Sequence, residues 1–195
     1  MAGRGSFYIA DGALQSLPSF DLGLLWSTQP MPQSYRLELE FLTRLPQTNS
    51  GVFIRFRHPD AAGFYNPAWA PVFTGFEVQI DNTGAPDGWA KHRTGAVYNV
   101  NYPNDPNQNP DAPPSTASDF VSPRDANVGT WNALRIEVQG DVILVNLNGA
   151  DTAHYTNTDP NRGQFSATEP TFVGLQSYSN YSYTTAFRNI RITVL

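Results

Sequence analysis

One short stretch, TGFEVQIDN (residues 74–82), places two carboxylates and a carboxamide at alternating positions. Glu77, Gln79 and Asp81 alternate with apolar residues, which is the pattern of a strand with one buried face. Side chains two residues apart lie about 7 Å from each other on the same face, so the three polar groups form a row. Such a row offers a general base and hydrogen-bonding groups for a hydroxyl-rich ligand. The alternative is an ordinary cross-strand charge pair on a solvent face.

Two arginines accompany this row in the preceding strand-like segment, VFIRFRH (residues 52–58). If that segment lies beside residues 74–82, Arg55 and Arg57 stand on the same face as Glu77. A guanidinium next to a carboxylate keeps it ionised and offers paired donors to hydroxyl groups. We therefore expect Arg55, Glu77 and Gln79 to share one concave face that solvent can reach.

Three histidines are further candidates for acid–base chemistry. His92 lies in the loop GWAKHRTG, just before a predicted strand, which is a suitable place for a second base. His58 ends a predicted strand and is a weaker candidate, and we expect His154 to be structural or exposed. Neither an HxH nor an HExxH spacing occurs, so the sequence predicts no dedicated zinc site.

Aromatic residues near the polar row are candidate platforms for a sugar ring. Tyr65, Trp69 and Trp89 lie in the loops 58–73 and 82–93, which we expect to rim a pocket. The alternative is that these loops fold back and bury their rings against the sheet. In VGLQSY, Gln176 lies opposite Leu175 and Tyr178 follows two residues later, so both are expected to join the polar face.

The elements that must position these residues are strands. Period-two patterning recurs along the chain, and Asp11-Gly12, Gly140-Asp141 and Asn148-Gly149 mark tight hairpin turns. No segment sustains a helical period. The sequence therefore predicts an all-β protein, a two-sheet antiparallel β-sandwich of jelly-roll type.

Length and composition restrict the classes of protein further. We interpret residues 1–195 as a single domain, either excised from a larger protein or a mature form with an added Met. The net charge is −5 with a single lysine, which argues against a nucleic acid or an anionic membrane as partner. The chain has no cysteine and thus no disulfide or thiol nucleophile, and no apolar run is long enough to predict a membrane-spanning helix.

Two loops have unusual compositions. Residues 101–127 contain six prolines and form a long Pro-rich insert, either functional or a tolerated surface excursion. In NTDPNRG, Asp159 and Asn161 offer oxygen ligands for a divalent cation such as Ca²⁺, although ordinary turn chemistry explains the same residues.

Six motifs occur together in a defined order along the chain: NSGVFIRF, GFEVQIDN, TGAVYNV, WNALRIEVQGDVILVNLNG, VGLQSY and FRNIRI. With this set the chain resembles the 3-keto-disaccharide hydrolase domain family from about residue 7 to its C-terminus. The chain departs from the family pattern at 177–179, where Ser-Tyr-Ser stands in place of Asp-His-Gly.

The resemblance implies a concanavalin A-like, laminin-G-like jelly roll whose ligand is a glycoside oxidised at C3. It also favours a secreted or periplasmic location. In such chemistry a base removes the acidified C2 proton, an enolate expels the C1 substituent, and water then adds. The base is Glu77 or His92, and Arg55 or a divalent cation stabilises the enolate. Gln79 and Asp81 hold hydroxyl groups, or Asp81 orients His92.

Three functional hypotheses remain open from the sequence. The first is a glycoside hydrolase of the elimination–hydration type that acts on 3-keto-glycosides. The alternative is a non-catalytic carbohydrate-binding module of a larger enzyme, and the third is an adhesion or scaffolding jelly roll. A catalytic site requires a positioned base, whereas a binding module relies on aromatic and amide side chains.

Overall fold

The protein is an antiparallel β-sandwich, which confirms the predicted fold class. The computed structural model describes residues 1–17, 19–85, 88–98, 100, 120–121, 125–166, 168–179 and 184–195. The predicted Pro-rich insert at 101–127 lies for the most part outside these residues. No helix in the described part of the chain is long and apolar enough to cross a membrane.

Strands are numbered in chain order. The six-stranded sheet contains, from one edge to the other, β1 (Ala2–Gly3), β4 (Ser19–Trp26), β13 (Phe172–Ser179), β6 (Ser50–Phe56), β7 (Phe76–Ile80) and β8 (Val97–Tyr98). The eight-stranded sheet contains β2 (Phe7–Ala10), β3 (Ala13–Ser16), β14 (Thr185–Val194), β5 (Ser34–Thr43), β10 (Asn132–Gln139), β11 (Val142–Leu147), β12 (Ala150–Thr156) and β9 (Phe120–Val121).

Helical structure in the described residues is confined to short loop segments. They are the five-residue helix α1 (Ala70–Thr74) and three 3₁₀ turns, Pro59–Ala62, Pro67–Trp69 and Ala90–His92. Each of the predicted tight hairpins is present. Ala10 pairs with Ala13, and Gln139 pairs with Val142, so two residues make each of these turns. At the next turn Asn148 and Gly149 both have positive φ, as a two-residue hairpin turn requires.

The main core lies between the two sheets. Inward-facing side chains of the six-stranded sheet, such as Val52, Val78 and Leu175, pack with Leu37 and Ile136 of the eight-stranded sheet. Alternation along each strand then sends the intervening side chains of the six-stranded sheet to its outer face. Glu77, Gln79 and Gln176, three of the predicted site residues, belong to this outer face.

A second apolar group covers part of that outer face, and we call it the outer cluster. Its buried members are Leu22, Leu24, Phe53, Phe56, Ala68 and Phe172, of which Ala68 belongs to the segment 59–75. Trp69 and Val72 of the same segment pack against it. The sheet therefore has apolar groups on both faces, and only part of its outer face remains for a polar site.

Asp21 of β4 fastens the segment 59–75 to the sheet. Its carboxylate accepts hydrogen bonds from Asn66 Nδ2 at 2.9 Å and Trp69 Nε1 at 3.3 Å. Asn66 also donates to the Leu22 carbonyl at 3.0 Å and accepts from the Ala68 amide at 3.0 Å. The hydrogen bond from the Leu22 amide, together with those from Asn66 and Trp69, holds the pKa of Asp21 below its ordinary value, so the anchor stays ionised.

The expectation that Arg55 shares the face of Glu77 is wrong. Arg55 has φ 58°, and this left-handed residue acts as a bulge that reverses the alternation of β6. Phe56 therefore takes the outer side together with Phe53, while the Arg55 guanidinium donates to the Gly140 carbonyl of the opposite sheet. Its side chain is only 3% exposed and lies 3.6 Å from Asp141.

Arg55 links the two sheets through its hydrogen bond to the Gly140 carbonyl. We expect Arg55→Ala to lower the free energy of unfolding by about 2–4 kcal/mol, because it removes a charge-assisted hydrogen bond and leaves a cavity. Chemical denaturation measures this change. Arg57→Ala is the matched control, because Arg57 is half exposed and its pair with Glu169 at 3.3 Å is worth at most about 1 kcal/mol. Equal losses for the two variants would contradict this assignment.

Candidate functional site

A cleft of about 210 Å³ opens on the outer face of the six-stranded sheet, beside the outer cluster. Its described lining residues come from five strands or their flanking loops: Leu22, Asn49, Trp69, Val72, Glu77, Gln79, Tyr98, Gln176 and Tyr178. Five of the residues predicted from the sequence thus meet here, namely Glu77, Gln79, Trp69, Gln176 and Tyr178. Glu77 is the only carboxylic acid among the described lining residues.

The Glu77 side chain has space only because Gly51, its neighbour on β6, has no side chain. Glu77 lies in β7 between Phe53 of β6 and Tyr98 of β8. A Cβ atom added to Gly51 would lie 2.0 Å from Glu77 Oε1, so the carboxyl group rests over the Gly51 backbone. The glycine of the Asn-Ser-Gly motif therefore creates the seat of the acidic group.

Burial changes the acid–base behaviour of Glu77. Its residue exposure is 7%, and this desolvation raises the pKa of the carboxyl group to about 8, while the Gln176 side chain opposes the rise. At neutral pH the group is therefore mostly protonated but can lose its proton at little cost. This is the range in which a general base works efficiently.

Two buried acceptor atoms of the site have no hydrogen-bond partner in the described part of the chain. They are Oε1 of Glu77 and Oε1 of Gln176, and both residues are more than nine-tenths buried. An unpaired buried polar atom costs about 1–3 kcal/mol, and a ligand that supplies a donor removes this cost. The site is therefore suited to a ligand with hydroxyl groups.

The remaining polar residues complete the cleft. Gln79 is 3% exposed, and its Oε1 accepts from the Ile80 amide at 3.0 Å, which leaves its amide nitrogen as the group that can serve a ligand. The Tyr98 ring lies 5.1 Å from the ring of His92, which stacks with Trp89 at 6.0 Å. His92 thus contacts a lining residue without being one.

Several predicted site residues lie outside the cleft. Asp81 is 1% exposed and directs its carboxylate into its own turn, where Oδ1 accepts from the amide and hydroxyl of Thr83 at 2.7 and 2.6 Å. Tyr65 is 95% exposed, and Trp89 and Arg57 are also at the surface. The loop 58–73 contributes Trp69 and Val72 to the rim, as predicted, whereas no described residue of 82–93 lines the cleft.

Sequence reasoning did not single out four lining residues. Tyr98 follows the inward-facing Val97, so the same alternation rule would have placed it beside Glu77. Asn49 begins the NSGVFIRF motif, which located the strand but did not indicate a role for its first residue. Leu22 and Val72 carry no signal of their own, because apolar residues in a strand and a loop are expected in any core.

The histidine and cation candidates have other partners. His58 packs edge-on against Trp26 at 4.7 Å, and its Nδ1 accepts from the Asp60 amide. Asp159 Oδ1 accepts from the Asn161 amide at 2.8 Å, as a turn requires. The described residues include no group of three or more His, Asp or Glu side chains arranged to hold a metal ion.

Gly51 offers a direct test of how the carboxyl group is seated. We expect Gly51→Ala to lower the free energy of unfolding by about 1–3 kcal/mol, because the new methyl group overlaps Glu77. The same change introduced into a Glu77→Ala protein should cost much less, since the overlapping group is gone. Denaturant titration of the four proteins gives the coupling energy. Additive effects would show that the two residues do not compete for space.

The raised pKa of Glu77 predicts a pH-dependent stability. Between its ordinary value of 4.5 and about 8 the folded protein retains a proton that the unfolded chain releases. Glu77 therefore makes the folded state progressively less stable as pH rises through this window. Glu77→Gln cannot titrate, so we expect the variant to gain stability relative to the parent as pH increases. Unfolding experiments at both ends of the window measure the difference. Glu169→Gln, at an exposed position, should track the parent.

Three solved structures show the same fold with low sequence identity. A protein provisionally described as a glycosyl hydrolase from Parabacteroides distasonis ATCC 8503 has TM-score 0.65 and 21% identity, covering 97% of this chain and 90% of that one. A Bacillus subtilis protein of unknown function with a galectin-like fold has TM-score 0.64 and 8% identity, covering 99% and 87%. The carbohydrate-binding module CBM66 from Bacillus subtilis has TM-score 0.58 and 13% identity, covering 98% and 93%.

A search of curated proteins found no match. The family model described as the 3-keto-alpha-glucoside-1,2-lyase-like domain matches residues 2–193, which is nearly the whole chain. This match confirms the resemblance that the six ordered motifs indicate. The chain therefore belongs to the 3-keto-alpha-glucoside-1,2-lyase-like domain family.

Proposed function

We propose that this carbohydrate-related domain cleaves 3-keto-glucosides by elimination across C1 and C2, with Glu77 as the general base. The observation that carries the proposal is the buried Glu77 carboxyl group in the cleft, with one unpartnered oxygen and a pKa of about 8. The family name supports the substrate class, and the hydroxyl-accepting character of the cleft supports a sugar as ligand.

The proposed reaction needs one proton acceptor at C2. The C3 ketone acidifies the C2–H bond, and a Glu77 oxygen takes that proton while the electron pair delocalises onto the C3 oxygen as an enolate. The enolate then forms the C1=C2 double bond, and the C1–O bond to the aglycone breaks. The aglycone oxygen takes up a proton and leaves. Addition of water across the double bond completes a net hydrolysis.

The surroundings of Glu77 suit this step. Desolvation makes its carboxylate more basic than a solvent-exposed one, so it removes a carbon-bound proton more readily. Arg55 is held by Gly140 in the other sheet and does not reach the enolate from there. Neutral donors, the amide groups of Gln79 and Gln176, are the described lining groups that can stabilise the developing negative charge.

The leaving group requires a second proton donor. In the chair form of an α-glucoside the C2–H and C1–O bonds are both axial and point to opposite faces of the ring. A base at C2 therefore cannot also protonate the leaving oxygen. Two phenols, Tyr98 and Tyr178, line the cleft and are the candidates for this donor. His92, whose ring lies 5.1 Å from that of Tyr98, remains the alternative base.

The size of the cleft fits one sugar ring. Its volume of about 210 Å³ is below that of pockets for drug-sized ligands, which begin near 300 Å³. Trp69 at one wall provides a flat face for the ring, and the buried amides of the floor provide hydrogen bonds. These features alone would also serve a carbohydrate-binding module, which is the second candidate function. The buried titratable acid favours the enzyme.

Glu77→Gln separates the two functions. The variant keeps the size of the side chain but cannot accept a proton, so turnover of methyl 3-keto-α-glucoside should fall by about 10²–10⁴-fold. Its binding should change by only about tenfold or less, the worth of a single net hydrogen bond. The parent enzyme should become faster with rising pH until about pH 8, because Glu77 acts as its carboxylate.

The assay follows release of methanol and loss of the ketosugar, with and without added divalent metal. Unfolding midpoints on the same samples exclude a folding defect, and Glu169→Gln serves as the exposed control. Parent-like turnover by a folded Glu77→Gln protein would eliminate Glu77 and direct attention to His92. Tight binding of the sugar by the parent without any turnover would establish the binding module instead.

A further inference from the structure

A row of aromatic rings continues outward from the cleft. Trp69 lines the cleft, and its ring lies 6.1 Å from that of Phe73. Phe73 in turn stacks on Phe64 at 5.1 Å with an interplanar angle of 22°. Tyr65 follows Phe64 directly in the chain. We call Trp69, Phe73 and Phe64, whose rings neighbour one another, the aromatic ridge.

Part of this aromatic surface is exposed although it is apolar. Phe73 is 53% exposed and the adjoining Tyr65 is 95% exposed, whereas Phe64 and Trp69 are half-buried. Single exposed apolar residues are common, but an exposed apolar patch that is continuous with a binding cleft indicates a surface that a ligand covers. Because Trp69 belongs to both, the ridge begins at the wall of the cleft and adjoins any group of a bound ligand that projects on that side.

The chemistry of the ridge discriminates between ligand groups. Residues 64–74 contain no charged side chain, and their polar side chains are Tyr65, Asn66, Trp69 and Thr74. Asn66 and Trp69 bond to Asp21, and the Thr74 hydroxyl donates to the Ala70 carbonyl at 2.7 Å and accepts from the Arg57 amide at 3.1 Å. Only the Tyr65 hydroxyl is left for a ligand within this segment.

A second sugar ring would be poorly served here, because its hydroxyl groups would lose water and find few partners. An aromatic aglycone has no such groups, and its ring gains from offset or edge contacts with Phe73 and Trp69. An aryl leaving group also departs more easily, because a phenoxide is a weaker base than an alkoxide and depends less on protonation. The aromatic surface and the shortage of free hydrogen-bonding groups therefore both favour an aromatic aglycone.

We propose that the aromatic ridge is the aglycone subsite and that it selects aryl 3-keto-glucosides over 3-keto-disaccharides. This inference rests on the proposed function, since it assigns the group that leaves from C1. It adds the identity of that group, which the cleft itself does not determine.

The test compares three substrates that differ only in the aglycone: phenyl, methyl and glucosyl 3-keto-α-glucosides. We expect kcat/KM to be highest for the phenyl substrate. Because phenoxide also leaves more easily, binding is measured separately with the inactive Glu77→Gln protein by calorimetry. There the phenyl compound should bind about tenfold more tightly than the methyl compound, the worth of an aromatic contact.

Variants of Phe73 test whether the aromatic ridge causes the tighter binding of the phenyl compound. Phe73→Ala in the Glu77→Gln background should weaken binding of the phenyl compound about tenfold and leave the methyl compound within about twofold. Phe73→Leu keeps apolar volume without a flat face and should give a smaller loss. Tyr8→Ala is the control, because Tyr8 is an exposed aromatic residue of the other sheet, at 43% exposure.

The outcomes separate the two proposals. Absence of turnover for all three substrates overturns the proposed function, whereas turnover with equal phenyl and methyl affinities overturns the ridge alone. Preference for the glucosyl compound, lost in Phe73→Ala, would assign the ridge to a second sugar and also overturn the aryl inference. An equal loss of affinity for all three compounds in Phe73→Ala would reduce the ridge to a structural support of Trp69.

Discussion

Removal of water from one carboxyl group on a sheet face is the constraint on which the site depends. A side chain on the outer face of an open sheet is ordinarily solvated, so Glu77 acquires its raised pKa only if neighbouring groups enclose it. Gly51 admits the carboxyl group to the surface of the neighbouring strand, and Gln176 closes in from the strand beyond. The segment 59–75 supplies an apolar wall through Trp69 and Val72. The buried acid is thus a property of four separate chain segments.

Burying such a group opposes folding, and the fold offsets this with apolar packing on both faces of the same sheet. The main core occupies the inner face, and the outer cluster occupies the part of the outer face next to the cleft. Strands β7 and β13, which carry Glu77, Gln79 and Gln176, pair with strands on both sides and hold these side chains more rigidly than loops would. The sandwich therefore tolerates the unfavourable burial of Glu77, because apolar packing on both faces of the sheet supplies most of the stability of the fold.

Alternation along strands explains what could be predicted from sequence. It placed Glu77, Gln79 and Gln176 on one face, and the Asp-Gly and Asn-Gly pairs located hairpin turns. It failed at Arg55, where a single left-handed residue reverses the alternation and sends the guanidinium to the other sheet. It also failed at Asp81, because the strand ends at Ile80 and the turn uses the carboxylate. Both failures are set by local backbone conformation and competing hydrogen bonds, which residue type alone does not reveal.

Asp21 gives the segment 59–75 a thermodynamic role as well as a structural one. The segment reaches the sheet through this carboxylate and through the outer cluster, so we expect its wall residues and its apolar cover to open together as one cooperative unit. A ligand seated against Trp69 therefore also stabilises the packing of Phe53 and Phe172, which it does not touch. Occupancy of the cleft and order of this segment are linked, and each strengthens the other by the same free energy.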